Sequence, residues 1–269
     1  MRRFFVPPEQ SRGEVFDLPE REARHAAQVL RLQPGDTLDV LDGGGGVLRC
    51  TVETATRRTV RVRVRQRDYR PPLACAITLV QAIPKGPAFE TIVQKATELG
   101  AARIIPLLSE RVVAHIAAKD APAKVDKWRQ IAVESIKQCG SPWLPEITPP
   151  VAFAELLKSP PKADISVVCA LPEPRRSLRA VAENCRRETH REPGSAVLWI
   201  GPEGDFTPAE YTAIEKTGAL PISLGSLVLR ADTAAIACLA LANQEWQATP
   251  PSRAIEPAPG SCVPNAPDA

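Results

Sequence analysis

Two glycine-containing loops near the C-terminal end of the 269-residue chain hold the residue types best suited to binding a ligand. The first loop has the sequence Gly-Pro-Glu-Gly at 201–204 and follows the apolar run 196–200. The second loop begins at Leu224-Gly225 and follows the apolar run 220–224. Each run is typical of a buried strand, and ligands of open α/β sheets bind beyond the carboxyl ends of the strands. The two loops therefore predict one small-molecule pocket built from two strand ends.

These loops must be positioned by the second part of the chain, in which apolar runs alternate with helical patterns. The predicted strands are 76–82, 103–108, 165–170, 196–200 and 220–224. The predicted helices are 88–99, 124–139, 175–187, 208–217 and 231–246, with 151–157 as a further short helix. Such alternation predicts a largely parallel sheet covered by helices. No Gly-x-Gly-x-x-Gly motif follows the first strand, which argues against an ordinary dinucleotide-binding or Rossmann-type methyltransferase site.

The first 70 residues have patterns typical of strands. Residues 59–65 alternate strictly, so the valines face a core while Arg61, Arg63 and Arg65 share the opposite face. Such a row could follow a phosphate backbone, or it could be the solvated outer face of a small barrel. Residues 42–46 predict a hairpin turn, without the Lys-Ser/Thr of a P-loop. Residues 20–31 predict a short helix.

The excess of basic charge lies in the N-terminal part of the chain. Residues 1–72 contain fourteen arginines, no lysine and ten acidic residues, whereas the rest of the chain has twenty basic and twenty-one acidic residues. Arginine is favoured where a phosphate is gripped or a base is stacked, so one interpretation is an RNA-binding surface. The other interpretation is a solubilising surface. The sequence Arg-Pro-Pro at 70–72 predicts a domain boundary.

Composition and cysteine spacing argue against several classes of protein. No apolar stretch reaches the roughly eighteen residues needed to span a membrane, and no apolar core typical of a signal peptide follows the first arginines. The seven cysteines are scattered, without a Cys-x-x-Cys pair. This spacing argues against a disulfide framework and a zinc site. We therefore expect a cytoplasmic protein without a metal, whose Pro-rich residues 248–269 form a disordered tail.

Motifs along most of the chain resemble the SPOUT methyltransferases and, more narrowly, their RsmE type. The main matches are Gly-Pro-Glu-Gly at 201–204, Leu-Gly at 224–225 and Leu-Arg-x-Asp-Thr-Ala at 229–234. Further matches are Arg-Phe-Phe at 3–5, His-x-x-x-Val-Leu-Arg at 25–31, Glu-x-x-x-Gln-Lys-x-x-Glu-Leu-Gly at 90–100, Ser-Glu-Arg at 109–111, Gln-Cys-Gly at 138–140 and Pro-x-Ile at 145–147. Each segment is weak alone, but their order and spacing over residues 2–246 make the joint signal strong.

The chain also departs from the RsmE pattern. The family usually has Glu-Gln-Cys-Gly-Arg where this chain has Lys-Gln-Cys-Gly-Ser, so that Lys137 and Ser141 differ. It usually has Arg-Thr-Glu-Thr where this chain has Arg-Ala-Asp-Thr at 230–233, and a basic or polar residue often stands where Ala88 is. The cofactor loops are nearly intact, whereas the change at Ser141 bears on an RNA contact near the active site.

The resemblance implies an α/β fold class and an activity. The fold would be a SPOUT trefoil-knotted parallel sheet with helices on both faces (73–247), preceded by a PUA-like RNA-binding β-barrel (1–72). The activity would be S-adenosylmethionine-dependent methylation of N3 of a uridine in 16S ribosomal RNA. The protein would act as a homodimer on that RNA or on the small ribosomal subunit. The alternatives are a SPOUT methyltransferase with another target nucleotide, or a non-catalytic RNA-binding or ribosome-assembly protein of the same fold.

The resemblance and the two loops together suggest roles for individual residues. The predicted cofactor-binding residues are Leu171, Ile200, Gly201, Pro202, Gly204, Leu224, Gly225, Leu227, Leu229 and Thr233. The predicted RNA-binding residues are Arg3, His25, Arg31, Arg61, Arg63 and Arg65.

Three residues are the main candidates for catalysis, and Asp232 is a fourth with an equally good structural interpretation. N3 of uridine must lose its proton, and the anion that forms needs a cation or fixed N–H donors. Arg230 is the first candidate for that cation and Arg111 the second, while Glu203 would take the proton or orient an arginine. Asp232 shares this last role but fits equally well as a carboxylate at the start of a helix.

Overall fold

The structure, a computed structural model, describes residues 2–112 and 116–247, so the predicted tail at 248–269 lies outside the described residues. The N-terminal part contains the strands β1 (Arg3–Phe5), β2 (Val15–Asp17), β3 (Thr37–Leu41), β4 (Gly46–Ala55) and β5 (Val60–Tyr69). They form one sheet in the order β1-β3-β4-β5-β2. Helix α1 (Glu20–Arg24) continues as a π-helical turn over His25–Val29 and packs against the sheet in one apolar core. The predicted helix therefore ends before Arg31, which has a φ of 52°.

The predicted alternation at 59–65 is confirmed in β5. Val60 and Val62 are buried in the core, whereas Arg61 and Arg65 are exposed and Arg63 is half-buried. Strand β5 pairs with β2 on one side and with β4 on the other, and both pairings are antiparallel. The three arginines therefore share one outer face of the sheet, which we call the arginine face.

The predicted hairpin at 42–46 is also confirmed. It joins the antiparallel strands β3 and β4. The carboxylate of Asp42 accepts hydrogen bonds from the amides of Gly44 and Gly46, both at 2.8 Å. Gly43 and Gly45 have φ values of 82° and 100°, which strongly favour glycine. The backbone geometry of the turn therefore explains the glycines at positions 43 and 45.

The rest of the described chain forms an eight-stranded sheet with helices. The strands are β6 (Ala76–Ala82), β7 (Arg103–Leu108), β8 (Glu146–Ile147), β9 (Val151–Ala152), β10 (Ile165–Cys169), β11 (Arg176–Ser177), β12 (Ser195–Ile200) and β13 (Leu220–Ser223). The helices are α2 (Ala88–Glu98), α3 (Ala121–Cys139), α4 (Phe153–Leu156), α5 (Leu178–Thr189), α6 (Pro208–Glu215) and α7 (Ala231–Trp246). Every pairing is parallel, which confirms the prediction.

Two predicted helices begin later in the structure because their first residues form strands, whereas the predicted helix at 124–139 begins earlier, at Ala121. The predicted helix at 151–157 begins instead with β9, because Val151 and Ala152 pair with β7. The predicted helix at 175–187 begins at Leu178, because Arg176 and Ser177 pair with β13. The Ser177 hydroxyl then accepts a hydrogen bond from the amide of Ala180 at 3.2 Å and caps the helix. Both later starts arise from strand pairing that local periodicity does not encode.

Alternate residues of the central strands face two apolar layers, so helices cover both faces of the sheet. Ile77 and Leu79 of β6 pack into a core that includes residues of α2, α3, α5 and α7. Val80 and Ala82 of the same strand pack into a second core that includes Ile214 of α6. Strands buried on both faces are typical of parallel sheets.

The strand order of this sheet is not sequential. It runs β11-β13-β10-β12-β6-β7-β8, with β9 also beside β7. Strand β10 therefore lies between β12 and β13, although β12 and β13 follow it in the chain. Because the strands are parallel, the loops that follow β10, β12 and β13 leave the same edge of the sheet. This order brings the two glycine loops and a third loop, 170–175, together.

Charged contacts join the N-terminal sheet to the C-terminal end of α3. The guanidinium of Arg3 donates hydrogen bonds to the carbonyl oxygens of Lys137 and Gln138 at 3.1 and 2.9 Å. The ammonium of Lys137 contacts the carboxylates of Glu22 and Glu134 at 2.9 and 3.0 Å. The side chains of Lys137 and Glu22 are only 11% and 6% exposed, so the domain junction contains a buried ion pair.

Candidate active site

The loops after β10, β12 and β13 enclose a cleft. The structure brings eight of the ten predicted cofactor-binding residues to its wall, namely Leu171, Ile200, Gly201, Pro202, Leu224, Gly225, Leu227 and Leu229. Most of the wall is apolar, and the ionisable side chains in it include Arg175, Glu203 and Asp205. A mainly apolar cleft with a few polar groups is the usual form of a small-molecule site.

Two glycines shape the loops of this cleft in different ways. A Cβ on Gly201 would lie 3.1 Å from a carboxylate oxygen of Asp205 and 3.2 Å from the amide nitrogen of Phe206. A side chain at position 201 would therefore press on the first loop where the loop folds back tightly. Gly225 has a φ of 129° and open space where a Cβ would be, so its backbone is accessible to a ligand.

Asp205 holds the first loop against the end of β10. Its backbone φ is 62°, and its carboxylate accepts a hydrogen bond from the amide of Phe206 at 2.9 Å. The hydroxyl of Tyr211 lies 2.6 Å from the same carboxylate and 3.2 Å from the carbonyl oxygen of Cys169. Burial, followed by the contact with Asp205, raises the pKa of Tyr211, so the phenol stays protonated and keeps donating. These hydrogen bonds fix the position of the first glycine loop relative to the end of β10.

Glu203 lies in the cleft wall, but it also has a structural contact. One of its carboxylate oxygens accepts a hydrogen bond from the backbone amide of Lys85 at 2.9 Å. This bond joins the first glycine loop to the loop that follows β6. The side chain of Glu203 is therefore suited to orienting neighbouring groups as well as to accepting a proton.

The two candidate arginines lie outside the residues that line the cleft. Arg111 donates a hydrogen bond to the carbonyl oxygen of Gly204 at 2.7 Å and lines an adjacent cavity with Asp205 and Tyr211. Arg230, just before α7, is 83% exposed, and its guanidinium lies 3.9 Å from the carboxylate of Asp232. Arg230 therefore lies next in the chain to two residues of the cleft wall, Leu229 and Ala231, and Arg111 lies beside the first glycine loop.

Two predicted cofactor-binding residues are placed away from the cleft wall. Gly204 packs on the side chain of Arg111, where a Cβ would lie 3.4 Å from the nearest atom. Thr233 lies in the first turn of α7, and its amide donates to Asp232 at 2.9 Å. The contact of Asp232 with this amide fits a carboxylate that stabilises the start of a helix.

The predicted RNA-binding residues are spread over the N-terminal sheet and its junction. Arg3 contacts α3, His25 packs edge-on against Phe4 with ring centroids 6.2 Å apart, and Arg31 is exposed. The structure does not bring these residues to the cleft.

The three arginines of the arginine face all have partners within the protein. Arg61 makes a two-pronged ion pair with Asp17 at 2.8 and 3.1 Å. Arg63 pairs with Glu53 at 2.5 Å, and Arg65 donates to the hydroxyl of Thr51 at 3.2 Å. The hydrogen bond from Arg61 lowers the pKa of Asp17 and raises that of Arg61. Of the three, only Arg65 has a neutral partner.

Sequence reasoning missed several residues of the cleft. Arg175 lines it, pairs with Glu173 at 2.8 Å and donates to the carbonyl oxygen of Ala170 at 3.2 Å. Cys169, Asp205 and Val228 also line it. Asp205 and Val228 stood within the two glycine loops, so their positions carried a signal. Arg175 and Cys169 follow from the place of β10 between β12 and β13, for which the sequence has no local signal.

The cleft supplies binding groups and has no reactive thiolate. The contact with Cys238, followed by burial, raises the pKa of Cys169, so this thiol is neutral. The described residues, 2–112 and 116–247, contain no cluster of three or more His, Cys, Asp or Glu side chains that could hold a metal. Within those same residues, no helix has the length and apolar character needed to cross a membrane. The arrangement is suited to holding a small organic ligand beside two arginines and a carboxylate.

Two families match the chain, and together they cover most of it. The model described as an RNA methyltransferase domain matches residues 71–243. The model described as an RNA methyltransferase PUA domain matches residues 18–65.

Relatives and solved structures extend this similarity. The ribosomal RNA small subunit methyltransferase E of Synechocystis is 33% identical over 90% of this chain and 77% of its own length. The enzyme of the same name from Bacillus subtilis is 27% identical over 92% of this chain and 98% of its own length. A Legionella pneumophila methyltransferase structure with the bound cofactor SAM has a TM-score of 0.80 and 30% identity, covering 90% of this chain and 96% of that one.

A further solved structure carries the same family name. The ribosomal RNA small subunit methyltransferase E of Neisseria gonorrhoeae, bound to S-adenosyl methionine, has a TM-score of 0.79 and 26% identity, covering 91% of this chain and 98% of that one. The predicted fold class, a SPOUT-type knotted parallel sheet preceded by a PUA-like β domain, is confirmed. The chain therefore belongs to the ribosomal RNA small subunit methyltransferase E family.

Proposed function

We propose that this protein methylates N3 of a uridine in 16S ribosomal RNA, with S-adenosylmethionine as the methyl donor. The observation that carries the proposal is the single cleft formed by both glycine loops. The names of the relatives support ribosomal RNA of the small subunit as the substrate class. The two similar structures bound to this cofactor support the donor. The N3 position rests on the resemblance to the RsmE type.

The residues of the cleft fit S-adenosylmethionine. Leu171, Leu224 and Leu229 offer apolar walls for an adenine ring, and the open backbone at Gly225 allows close approach. The bound cofactor supplies a methyl group on a sulfonium. Transfer is an in-line displacement, so the protein contributes most by holding donor and acceptor in near-attack geometry. The hydrogen bonds of Asp205 hold the first loop in place beside the cleft.

The acceptor requires a proton to leave and a negative charge to be stabilised. The N3 anion of uridine spreads its charge onto O2 and O4, and a guanidinium can donate to such oxygens. Arg230 is the first candidate, because its nearest carboxylate partner is 3.9 Å away. Arg111 is the second, since one of its N–H groups already binds Gly204. Glu203, fixed by the amide of Lys85, would accept the proton or orient an arginine.

We also propose a division of labour between residues 1–72, which bind RNA, and residues 73–247, which bind the cofactor and carry out the transfer. The match of the PUA domain family to residues 18–65 supports this division. Arg3, Arg31 and the arginine face would contact phosphates, which positions RNA without specifying its sequence. Because ribosomes are assembled there, the cytoplasm is the expected location.

We propose that the protein acts as a homodimer. Leu227 and Val228 in the second glycine loop are 78% and 77% exposed, beside the cofactor cleft. Adjacent exposed apolar side chains are typical of an interaction surface. A second copy would cover them and help to close the active site. Light scattering measures the mass of the protein in solution. The wild-type protein should have the mass of a dimer, and the double variant Leu227→Ser/Val228→Ser should have the mass of a monomer. A monomeric wild-type protein would contradict the dimer.

The function is tested by one measurement on the full chain and by one in cells. Calorimetry should show binding of S-adenosylmethionine, and its absence would contradict every methyltransferase assignment. Deletion of the gene should then remove one reverse-transcription stop at a uridine in small-subunit ribosomal RNA, because a methyl group on N3 blocks base pairing. Cofactor binding without any change in ribosomal stops would favour a SPOUT methyltransferase with another target. If the protein shows no cofactor binding and its deletion changes no ribosomal stop, a non-catalytic RNA-binding protein is favoured.

A further inference from the structure

Two aromatic side chains meet at the junction of the two parts of the molecule. Tyr69 ends β5, and Trp143 lies between α3 and β8. Their ring centroids are 6.1 Å apart in an edge-to-face arrangement. Tyr69 is 66% exposed, and it is the only aromatic among the exposed large apolar side chains of the described residues. The pair therefore presents aromatic surface to solvent, and aromatic rings offer a large contact area to a ligand.

The aromatic pair is held in place by backbone contacts. The indole N–H of Trp143 donates to the carbonyl oxygen of Arg70 at 3.0 Å, and its amide donates to the hydroxyl of Ser141 at 3.2 Å. A Cβ on Gly45 would lie 2.6 Å from the ring of Tyr69 and 2.7 Å from that of Trp143. The amide of Gly45 also donates to the carbonyl oxygen of Pro142 at 3.0 Å. The glycine turn thus supports both rings from behind.

A groove of about 720 Å³ is lined at one end by Trp143, and Tyr69 lies next to this end through its contact with Trp143. Trp143 and Arg70 line one end of it, and Pro71, Leu73 and Pro142 contribute to an apolar wall. The charged side chains in its lining are Arg70 and Glu98, and Glu98 is paired with Lys95 at 2.9 Å. The guanidinium of Arg70 donates to the carbonyl oxygen of Gly140 at 3.4 Å, and it has no carboxylate partner within the described residues. The groove therefore offers flat apolar surfaces and one available cation.

We propose that this groove binds an unpaired nucleotide of the RNA substrate, with the base stacked on Tyr69 beside Trp143 and a phosphate at Arg70. Stacking on aromatic rings with a nearby arginine is the common way in which proteins hold single-stranded RNA. The proposal rests on the proposed function only in taking RNA as the ligand. Ser141, which stands where the RsmE pattern usually has arginine, supports Trp143 in place of supplying a cation.

The tryptophans of the chain allow a direct test by fluorescence. Trp128, Trp199 and Trp246 are at most 3% exposed, so the partly exposed Trp143 dominates quenching by iodide. Titration of the full chain with a mixed-sequence single-stranded RNA oligonucleotide should quench Trp143 and protect the remaining emission from iodide. The variant Trp143→Phe supplies the baseline. Unchanged emission and unchanged iodide access on RNA binding would overturn the proposal.

A matched pair of variants tests stacking itself. Tyr69→Ala should weaken oligonucleotide binding about tenfold, within the range typical of one lost stacking contact. Tyr69→Phe keeps the ring and should bind within twofold of the wild type. Both variants should bind S-adenosylmethionine normally, which shows that the fold is intact. Equal RNA affinities for the two variants would overturn the proposal.

The outcomes separate this proposal from the proposed function. If the protein methylates no ribosomal RNA but its RNA binding depends on Tyr69, the proposed nucleotide site is supported and the proposed methylation is wrong. If the protein methylates small subunits but RNA does not affect the fluorescence of Trp143, the proposed methylation is supported and the proposed nucleotide site is wrong. Gln247, the last described residue, lines the same groove, so truncation after it is informative. If truncation alone exposes Trp143 to iodide and RNA adds no protection, the chain's own tail is the occupant and the proposal is wrong.

Discussion

The cofactor cleft and the arginine face are built in opposite ways. The cleft is made of apolar walls and glycine loops, whose shape comes from the backbone and from short hydrogen bonds around Asp205. The arginine face consists of long charged side chains, and Arg61 and Arg63 are each paired with a carboxylate from a neighbouring strand. The binding geometry of a glycine loop is therefore determined by a few consecutive residues. The availability of a cation, by contrast, depends on what the fold places beside it.

The largest effect is expected from removing a charge that is held in a buried ion pair. Lys137→Met leaves the buried carboxylate of Glu22 without its cation, so the free energy of unfolding should fall by about 3 kcal/mol. Chemical denaturation measures it. Lys158→Met is the matched control, because Lys158 pairs with Glu155 on the surface and should change stability by less than about 1 kcal/mol. Equal losses in the two variants would show that burial at the junction does not matter.

A glycine substitution tests whether the cleft depends on its backbone. Gly201→Ala would place a Cβ against Asp205 and Phe206, so affinity for S-adenosylmethionine should fall about tenfold, or roughly 1.4 kcal/mol. Calorimetry measures the affinity. In the control Gly194→Ala, the nearest atom to the new Cβ is 3.5 Å away and outside the cleft, so binding should not change. Unchanged affinity for Gly201→Ala would mean that the loop adapts.

The arginine face can be divided by its partners. Arg65→Gln should weaken RNA binding several-fold and lower the slope of log affinity against log salt by about one, because its neutral partner leaves the cation available. Arg61→Gln should have a smaller effect, since Asp17 already holds Arg61. Asp17→Asn should steepen the slope by releasing Arg61. An unchanged salt slope in all three variants would identify the arginine face as a solvated surface.

The smallest expected effect is a pH dependence at the edge of the sheet opposite the cleft. Hydrogen bonds from Arg191 and the amide of Gly194 lower the pKa of Asp164 from 3.8 to about 2. The contribution of Asp164 to stability is therefore present above about pH 4 and is lost as the pH falls through about 2. Asp164→Asn should show a flatter melting temperature between pH 4 and pH 2 than the wild type. Parallel curves of melting temperature against pH for the two proteins would show that folding does not lower the pKa of Asp164.

Most of the elements could be predicted because their signals are local. Strands β6 and β7 and helix α7 begin and end at the predicted residues, since apolar runs and helical periodicity continue to their ends. Strands β9 and β11 were missed because two residues give no periodicity, and only their pairing with β7 and β13 defines them. The start of α5 moved for the same reason.

The candidate site was predictable where it is made of consecutive residues. Both glycine loops carry their own conformational requirements, so their glycines and leucines could be found from the sequence. Arg175 could not be found, because its place in the cleft depends on the order of β10, β12 and β13. The glycine turn at 43–46 was predicted as a hairpin, but its contact with Trp143 joins residues about a hundred positions apart.

The sequence by itself determined the alternation of strands and helices, the buried and exposed faces of β5 and the backbone freedom of the two loops. Each of these depends on residue types within a few positions, which short-range sterics and periodic burial control. The tertiary structure decided which loops share a cleft, which arginines are paired and that Lys137 and Glu22 are buried together. These properties depend on groups brought together from distant parts of the chain, and a charge or a wall has its effect only beside its partner.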